Sequence, residues 1–153
     1  MTAPSNDEIA ARVQASFDLQ GALRTIGARL VRAVAGEVEV ELPFSEGITQ
    51  HHGFVHGGIL VAALDTACGL AAYSLMPPEA QPLTIELKHN FLAPARGERF
   101  TMIGRVRKAG RTVTFCDGES YSHESGGARL IATMSTTIMT VIGRESVRLR
   151  EAR

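Results

Sequence analysis

The twenty residues from Gly57 to Met76 carry a single charged side chain, Asp65, and are otherwise apolar or small on every side. A helix that is apolar around its whole circumference must be buried. The acid and the several Gly and Ala residues suit a protein interior better than a bilayer. Pro77-Pro78 ends the segment, because proline withholds a donor and disfavours helical geometry in the residue before it. The pattern predicts one long buried helix from Gly57 to about Leu75, and any fold of this chain has to cover that helix.

The flanking residues supply the cover. Asp7 to Phe17 set Ile9, Val13 and Phe17 four apart, with Asp7-Glu8 at the end where the helix dipole favours acid, so a short amphipathic helix comes first. From Ala28 to Phe44 the period becomes two. Leu30 and Arg32 alternate with Val31 and Ala33, then Val38, Val40 and Leu42 with Glu37, Glu39 and Glu41, which predicts two antiparallel strands joined near Gly36. The polar run from Ser45 to His56, with Gly47 and Gly53, reads as a loop. Beyond the helix, Leu83 to Phe91, Arg99 to Lys108, Thr112 to Ser122 and Ala128 to Ile142 read as four more strands. Gly97, Gly110 and Gly126-Gly127 stand between them at hairpin spacing. The sum is an α+β domain over residues 28–142, an antiparallel sheet with one helix laid across it. A helix and lead-in over 1–27 precede it, and a charged, aperiodic tail over 143–153 follows.

A chain of 153 residues has the size of one domain. Sixteen basic residues balance sixteen acidic ones, which argues against a general polyanion binder, nucleic acid included, while leaving room for a local cluster that holds a phosphorylated small molecule. Cys68 and Cys116 stand far apart and outside any CxxC pair, and are expected to be free, buried thiols. The first residues, Met1 to Asp7, lack the basic-then-apolar run of a signal peptide, so a cytoplasmic location without membrane insertion is expected. The five histidines, His51, His52, His56, His89 and His123, lack metal-ligand spacing, and no metal is expected. With no GxSxG elbow, Cys-His motif or Gly-rich phosphate loop, any catalysis falls to the carboxylate.

A charge within an apolar helix is costly unless function or a partner offsets it. The helical neighbours of Asp65 are mostly small, Gly58, Val61, Ala62, Gly69 and Ala72, which places a groove beside the carboxylate. The bland alternative is that these residues only let the helix approach the sheet and that Asp65 is simply hydrogen-bonded. Gly57 and Gly58 open the helix, where the first N–H groups lack intrahelical partners and no side chain shields them from a carbonyl oxygen. Gly57 and Asp65 are eight residues apart, about 12 Å along the axis at ~1.5 Å per residue. One carbonyl cannot touch both in the same chain. If both act on one substrate they come from two subunits, and a homodimer becomes part of the mechanism.

The run Gln50-His51-His52-Gly53-Phe54-Val55-His56-Gly57-Gly58, followed by Asp65, resembles the signature of the PaaI-like branch of hotdog thioesterases. The resemblance extends from about Gly27 to Met139 and takes in Thr84, the segment Leu92 to Gly97 and the segment Lys108 to Thr112. Its details look most like the bacterial subgroup acting on medium- and long-chain acyl-CoA. It implies a hotdog fold, a sheet wrapped around a central helix, and hydrolysis of acyl-CoA to free acid and CoA. No cofactor is implied, since CoA is part of the substrate, and a homodimer, commonly paired into a homotetramer, is. Carried over, Asp65 activates water or attacks the thioester carbon, and the Gly57 N–H polarises the carbonyl. Gln50, where many members have Asn, orients water or carbonyl, Thr84 supports the water, and His56 shapes the helix start. Gly58, Arg96, Lys108, Gly110, Arg111 and Thr112 fall at positions that bind the acyl-CoA. Two rivals stand beside this reading: a hotdog enoyl-thioester hydratase, and a non-catalytic acyl-CoA sensor or carrier.

Overall fold

The computed structural model describes residues 4–143. Met1 to Ala3 of the lead-in and all of the expected tail except Gly143 lie outside the described residues. Helix α1 spans Asn6–Asp18. Its start is a reciprocal cap: the Ser5 hydroxyl accepts from the Glu8 N–H at 3.3 Å, and the Glu8 carboxylate accepts from the Ser5 N–H at 2.7 Å. Ile9, Val13 and Phe17 are buried as their spacing requires, and join the same core as the rest of the chain. Burial of each contributes at most about 1.5–3 kcal/mol. A five-residue helix, α2 (Gly21–Thr25), follows, too short to leave a periodic signal.

Strands β1 (Arg29–Val34) and β2 (Glu37–Pro43) form the expected hairpin, with Gly36 at φ 77° in its turn. Val38, Val40 and Leu42 are fully buried. The alternation expected of β1 is broken: Ala33 is buried but Val31 is 54% exposed. Val31 is an extra residue without a partner in β2, and such a bulge shifts every later side chain relative to the earlier ones. The long helix, α3, covers Gly57–Tyr73 and ends before Pro77-Pro78. Then come β3 (Ala80–Phe91), β4 (Arg99–Lys108), β5 (Val113–Glu124) and β6 (Gly127–Ile142).

All six strands form one antiparallel sheet in the order β1-β2-β4-β5-β6-β3. The glycine-marked break at Gly97 is therefore not a hairpin, contrary to its spacing. The connection from β3 runs over the ends of β6 and β5 instead: the Leu92 and Ala93 N–H groups donate to the Ile131 carbonyl, and the Glu98 N–H to that of His123. Among the described residues, β3 is left as a free edge.

Helix α3 lies across the sheet on a seat made by two paired glycines, Gly104 of β4 and Gly118 of β5. A Cβ on Gly104 would stand 2.4 Å from the Ala67 backbone, and one on Gly118 would stand 2.8 Å from Cys68 Sγ and Leu64 Cδ1. Leu64, Ala67 and Cys68 are accordingly fully buried. With those residues seated, the rotation of the helix is fixed, and Asp65 faces sideways toward β3. Among the described residues, no helix is long and apolar enough to cross a membrane.

Candidate active site

Asp65 is half-buried and accepts a hydrogen bond from the Thr84 hydroxyl at 2.8 Å. Desolvation pushes its carboxyl above the ordinary carboxylate range, and the Thr84 hydrogen bond opposes this by favouring the ionised form. A desolvated carboxyl with a single hydrogen-bond donor among the described residues suits the role of a base or a nucleophile. Gly58, Ala62 and Gly69 run along the uncovered flank of α3 beside it, and nothing lies within 4 Å of a Cβ built on Gly69. Ala72, expected in the same groove, is buried in the core, as are its neighbours Leu70, Ala71 and Tyr73 in the last turn of the helix.

The Gly57 end of α3 has its own surroundings. His56 caps the helix, its Nδ1 accepting from the Gly58 N–H at 2.9 Å, so His56 shapes the helix start and its Nδ1 is already engaged. The Gly57 N–H belongs to the first helical turn and has no residue four back to bond within the helix. Gly57 lies on a groove of about 510 Å³ lined also by Gln50, Phe54, Leu60, Phe91 and Ala95. The Gln50 side-chain Oε1 accepts from the His52 N–H, which anchors the side chain to its own loop. The Phe91 ring presses on Gly57: a Cβ there would be 2.8 Å from Phe91 Cζ. A larger residue here would have to push the end of that ring aside, and glycine also leaves the donor open to a ligand. Spacing drew no attention to Phe91, which reads as one more strand residue.

The sheet register places these two groups toward opposite ends of the sheet. Thr84 is opposite Ile138, itself opposite Thr114, whereas Phe91 is opposite Ala132, itself opposite Ser120. The Asp65–Thr84 pair therefore lies at the end of the sheet that holds the β4–β5 turn, and Gly57 with Phe91 and Gln50 lies toward the other. Seven residues of β3 separate Thr84 from Phe91, roughly 20 Å at ~3.3 Å per residue.

The residues expected to contact CoA divide in the same way. Arg96, with its guanidinium 5.3 Å from the Phe54 ring centre, belongs to the Gly57 end. Lys108 ends β4, and Gly110, Arg111 and Thr112 occupy the β4–β5 turn, all at the Asp65 end. Arg96 and Lys108 flank the two ends of β4, about 30 Å apart by strand rise, so one chain does not gather them into a cluster. The reason is topological: sequence neighbours on either side of a ten-residue strand end up on opposite rims of the sheet. Gly110 packs so tightly that a Cβ would stand 2.4 Å from the Val113 carbonyl, which explains glycine there by the turn itself.

Other nucleophiles are unsuited to the chemistry. Cys68 and Cys116 are free and buried, as expected. Burial pushes the Cys116 thiol up to about 11 and that of Cys68 further still, so neither supplies thiolate near neutral pH. Among the described residues there is no cluster of three or more His, Cys, Asp or Glu able to hold a metal ion.

Residues 52–128 match the model of the thioesterase superfamily. The crystal structure of a thioesterase family protein from Silicibacter pomeroyi superposes with a TM-score of 0.86 at 47% identity, covering 88% of this chain and 99% of that one. A candidate esterase from Halobacterium salinarum is 38% identical over 118 residues, 74% of this chain and 78% of the relative. A medium/long-chain acyl-CoA thioesterase from Escherichia coli K12 is 30% identical over 98 residues, 56% of this chain and 61% of the relative. With the helix seated across a six-stranded antiparallel sheet, these matches establish that the chain belongs to the thioesterase superfamily and has its hotdog fold.

Proposed function

We propose that this thioesterase hydrolyses medium- or long-chain acyl-CoA, with arylacetyl-CoA as a further candidate, at a site shared by two copies of the chain. The observation that carries the reading is the separation of the two half-sites: a carboxylate hydrogen-bonded by Thr84, and, eight residues or about 12 Å back along α3, an open helix start beside a groove. The acyl-chain class is supported by the name of the E. coli relative.

The free edge of β3 supplies the means. Leu83, Ile85 and Leu87 are 45%, 53% and 38% exposed, an apolar edge of the kind that pairs with another strand. A twofold axis beside the middle of β3 would pair it antiparallel with its copy. Thr84 and Asp65 of one copy would then lie beside Phe91 and Gly57 of the other, completing two identical sites. Arg96 of one copy would likewise approach Lys108 and Arg111 of the other, giving a cationic rim for the CoA phosphates. Two such dimers would pair into the tetramer.

In each site the Gly57 N–H binds the thioester oxygen and stabilises the charge that develops on it. Asp65 of the other copy either deprotonates water for attack at the carbonyl carbon or attacks it directly, forming an anhydride that water then opens. Gln50 holds water or carbonyl in line. In both routes the C–S bond breaks and CoA leaves as the thiol.

The test is thiol release from acetyl-, hexanoyl-, decanoyl-, palmitoyl- and phenylacetyl-CoA, with Asp65→Asn beside the wild type. Turnover that peaks in the medium or long chains and is lost in the variant is expected. Binding of the esters without turnover would favour a sensor or carrier instead.

A further inference from the structure

We infer that Phe91 is a specificity-determining residue, its ring forming the wall against which the acyl group next to the bound carbonyl must lie. The inference rests on the reading of Gly57 as the carbonyl-binding donor.

Three observations converge on Phe91. Its ring lies on Gly57, with Cζ, Cε1 and Cε2 at 2.8, 3.0 and 3.6 Å from the position of a Gly57 Cβ. It is 56% exposed in the single chain and lines the same groove as Gly57 and Gln50, so it borders the space where, on the two-copy reading, the substrate meets Asp65 of the other copy. It is also held. His89, two residues back on the same face of β3, packs its ring at 4.3 Å between centres and a 54° tilt, a favourable aromatic geometry. Both His89 ring nitrogens are buried and lack a hydrogen-bond partner among the described residues. A polar ring buried without partners costs stability, and what this ring does here is pack against Phe91 and restrict it, a positioning role.

The consequence concerns the α-carbon of the acyl group. A carbonyl oxygen bonded to the Gly57 N–H places its carbon within contact range of the Phe91 ring. Two substituents leave that carbon: the sulfur, identical in every CoA ester, and the α-carbon. Only the second can distinguish substrates, so the ring admits an acyl group whose α-carbon is a CH2 and resists a second carbon substituent there.

The experiment compares kcat/KM for decanoyl-, 2-methyldecanoyl- and 2-phenylpropanoyl-CoA in the wild type, Phe91→Leu, Phe91→Ala and His89→Leu, with Asp65→Asn as the control for the site itself. In Phe91→Ala the ratio of branched to straight-chain kcat/KM should rise about tenfold or more, the scale on which a pocket discriminates one added carbon. Phe91→Leu should lie between, and His89→Leu should move the ratio in the same direction. A parallel fall for all three substrates, with the ratio unchanged, overturns the assignment of Phe91 while leaving the thioesterase reading intact. Wild-type turnover that is absent, or that persists in Asp65→Asn, overturns both.

Discussion

Gly57→Ala places one methyl group at the point where the proposed mechanism is most exposed. The added Cβ meets Phe91 Cζ at 2.8 Å and Cε1 at 3.0 Å, so something must shift. What shifts is the far end of a side chain on an edge strand, 56% exposed, and not backbone. The stability cost should therefore fall at the low end of overpacking, about 1 kcal/mol. Activity should suffer more. The methyl stands beside the donor and drives the ring into the groove, displacing the carbonyl by roughly 1 Å, which costs on the order of 100-fold. That corresponds to ~2.7 kcal/mol of transition-state stabilisation. Urea denaturation and kcat/KM on decanoyl-CoA, measured on the same preparation, separate the two effects. Activity within threefold of wild type in a folded Gly57→Ala would refute the placement of the carbonyl at Gly57.

Asp65 makes a prediction about stability as well as rate. Its carboxyl titrates above the ordinary carboxylate value in the folded protein, chiefly through desolvation, so between the two values the native state binds more protons than the unfolded one. Stability then falls as pH rises through that window: the penalty is absent below the unfolded value and complete above the folded one. Asp65→Asn should be the more thermostable protein at neutral pH, with the difference vanishing in acid, as thermal denaturation across pH will show. Thr84→Val removes the hydrogen bond that favours the ionised carboxylate, so the acid limb of the kcat/KM profile should move to higher pH, while Thr84→Ser should leave it in place. Arg12 donates to the carbonyls of Met76, Tyr73 and Pro77 just past α3, at 2.8, 3.2 and 3.1 Å. Arg12→Ala should cost about 2 kcal/mol in urea denaturation without changing chain-length preference.

The long helix was legible because an all-round apolar segment closed by Pro77-Pro78 has few other fates, and the strand alternation in Val38, Val40 and Leu42 was legible for the same reason. What periodicity cannot carry is partner choice. Nothing local to Leu83–Phe91 says that it pairs with β6 and becomes an edge strand, and the bulged residues Val31 and Ile85 break alternation without a compositional mark. The carboxylate announced itself by its cost in an apolar helix, and helix rise alone separated Gly57 from Asp65. Phe91 was invisible, since its contact with Gly57 depends on where β3 lands. For the same reason Arg96 and the Lys108–Thr112 turn were grouped by their likeness to family positions, although one chain sets them on opposite rims.

The central claim, a site with Gly57 from one copy and Asp65 from the other, is tested most directly by mixing two damaged chains. Asp65→Asn and Gly57→Ala are each nearly inactive alone on this account. In a dimer containing one of each, one of the two sites draws its Gly57 from the Asp65→Asn chain and its Asp65 from the Gly57→Ala chain, and is intact. Co-refolding equal amounts should make half the dimers mixed, restoring about a quarter of the wild-type activity. A mixture no more active than the average of its parents would contradict the shared site.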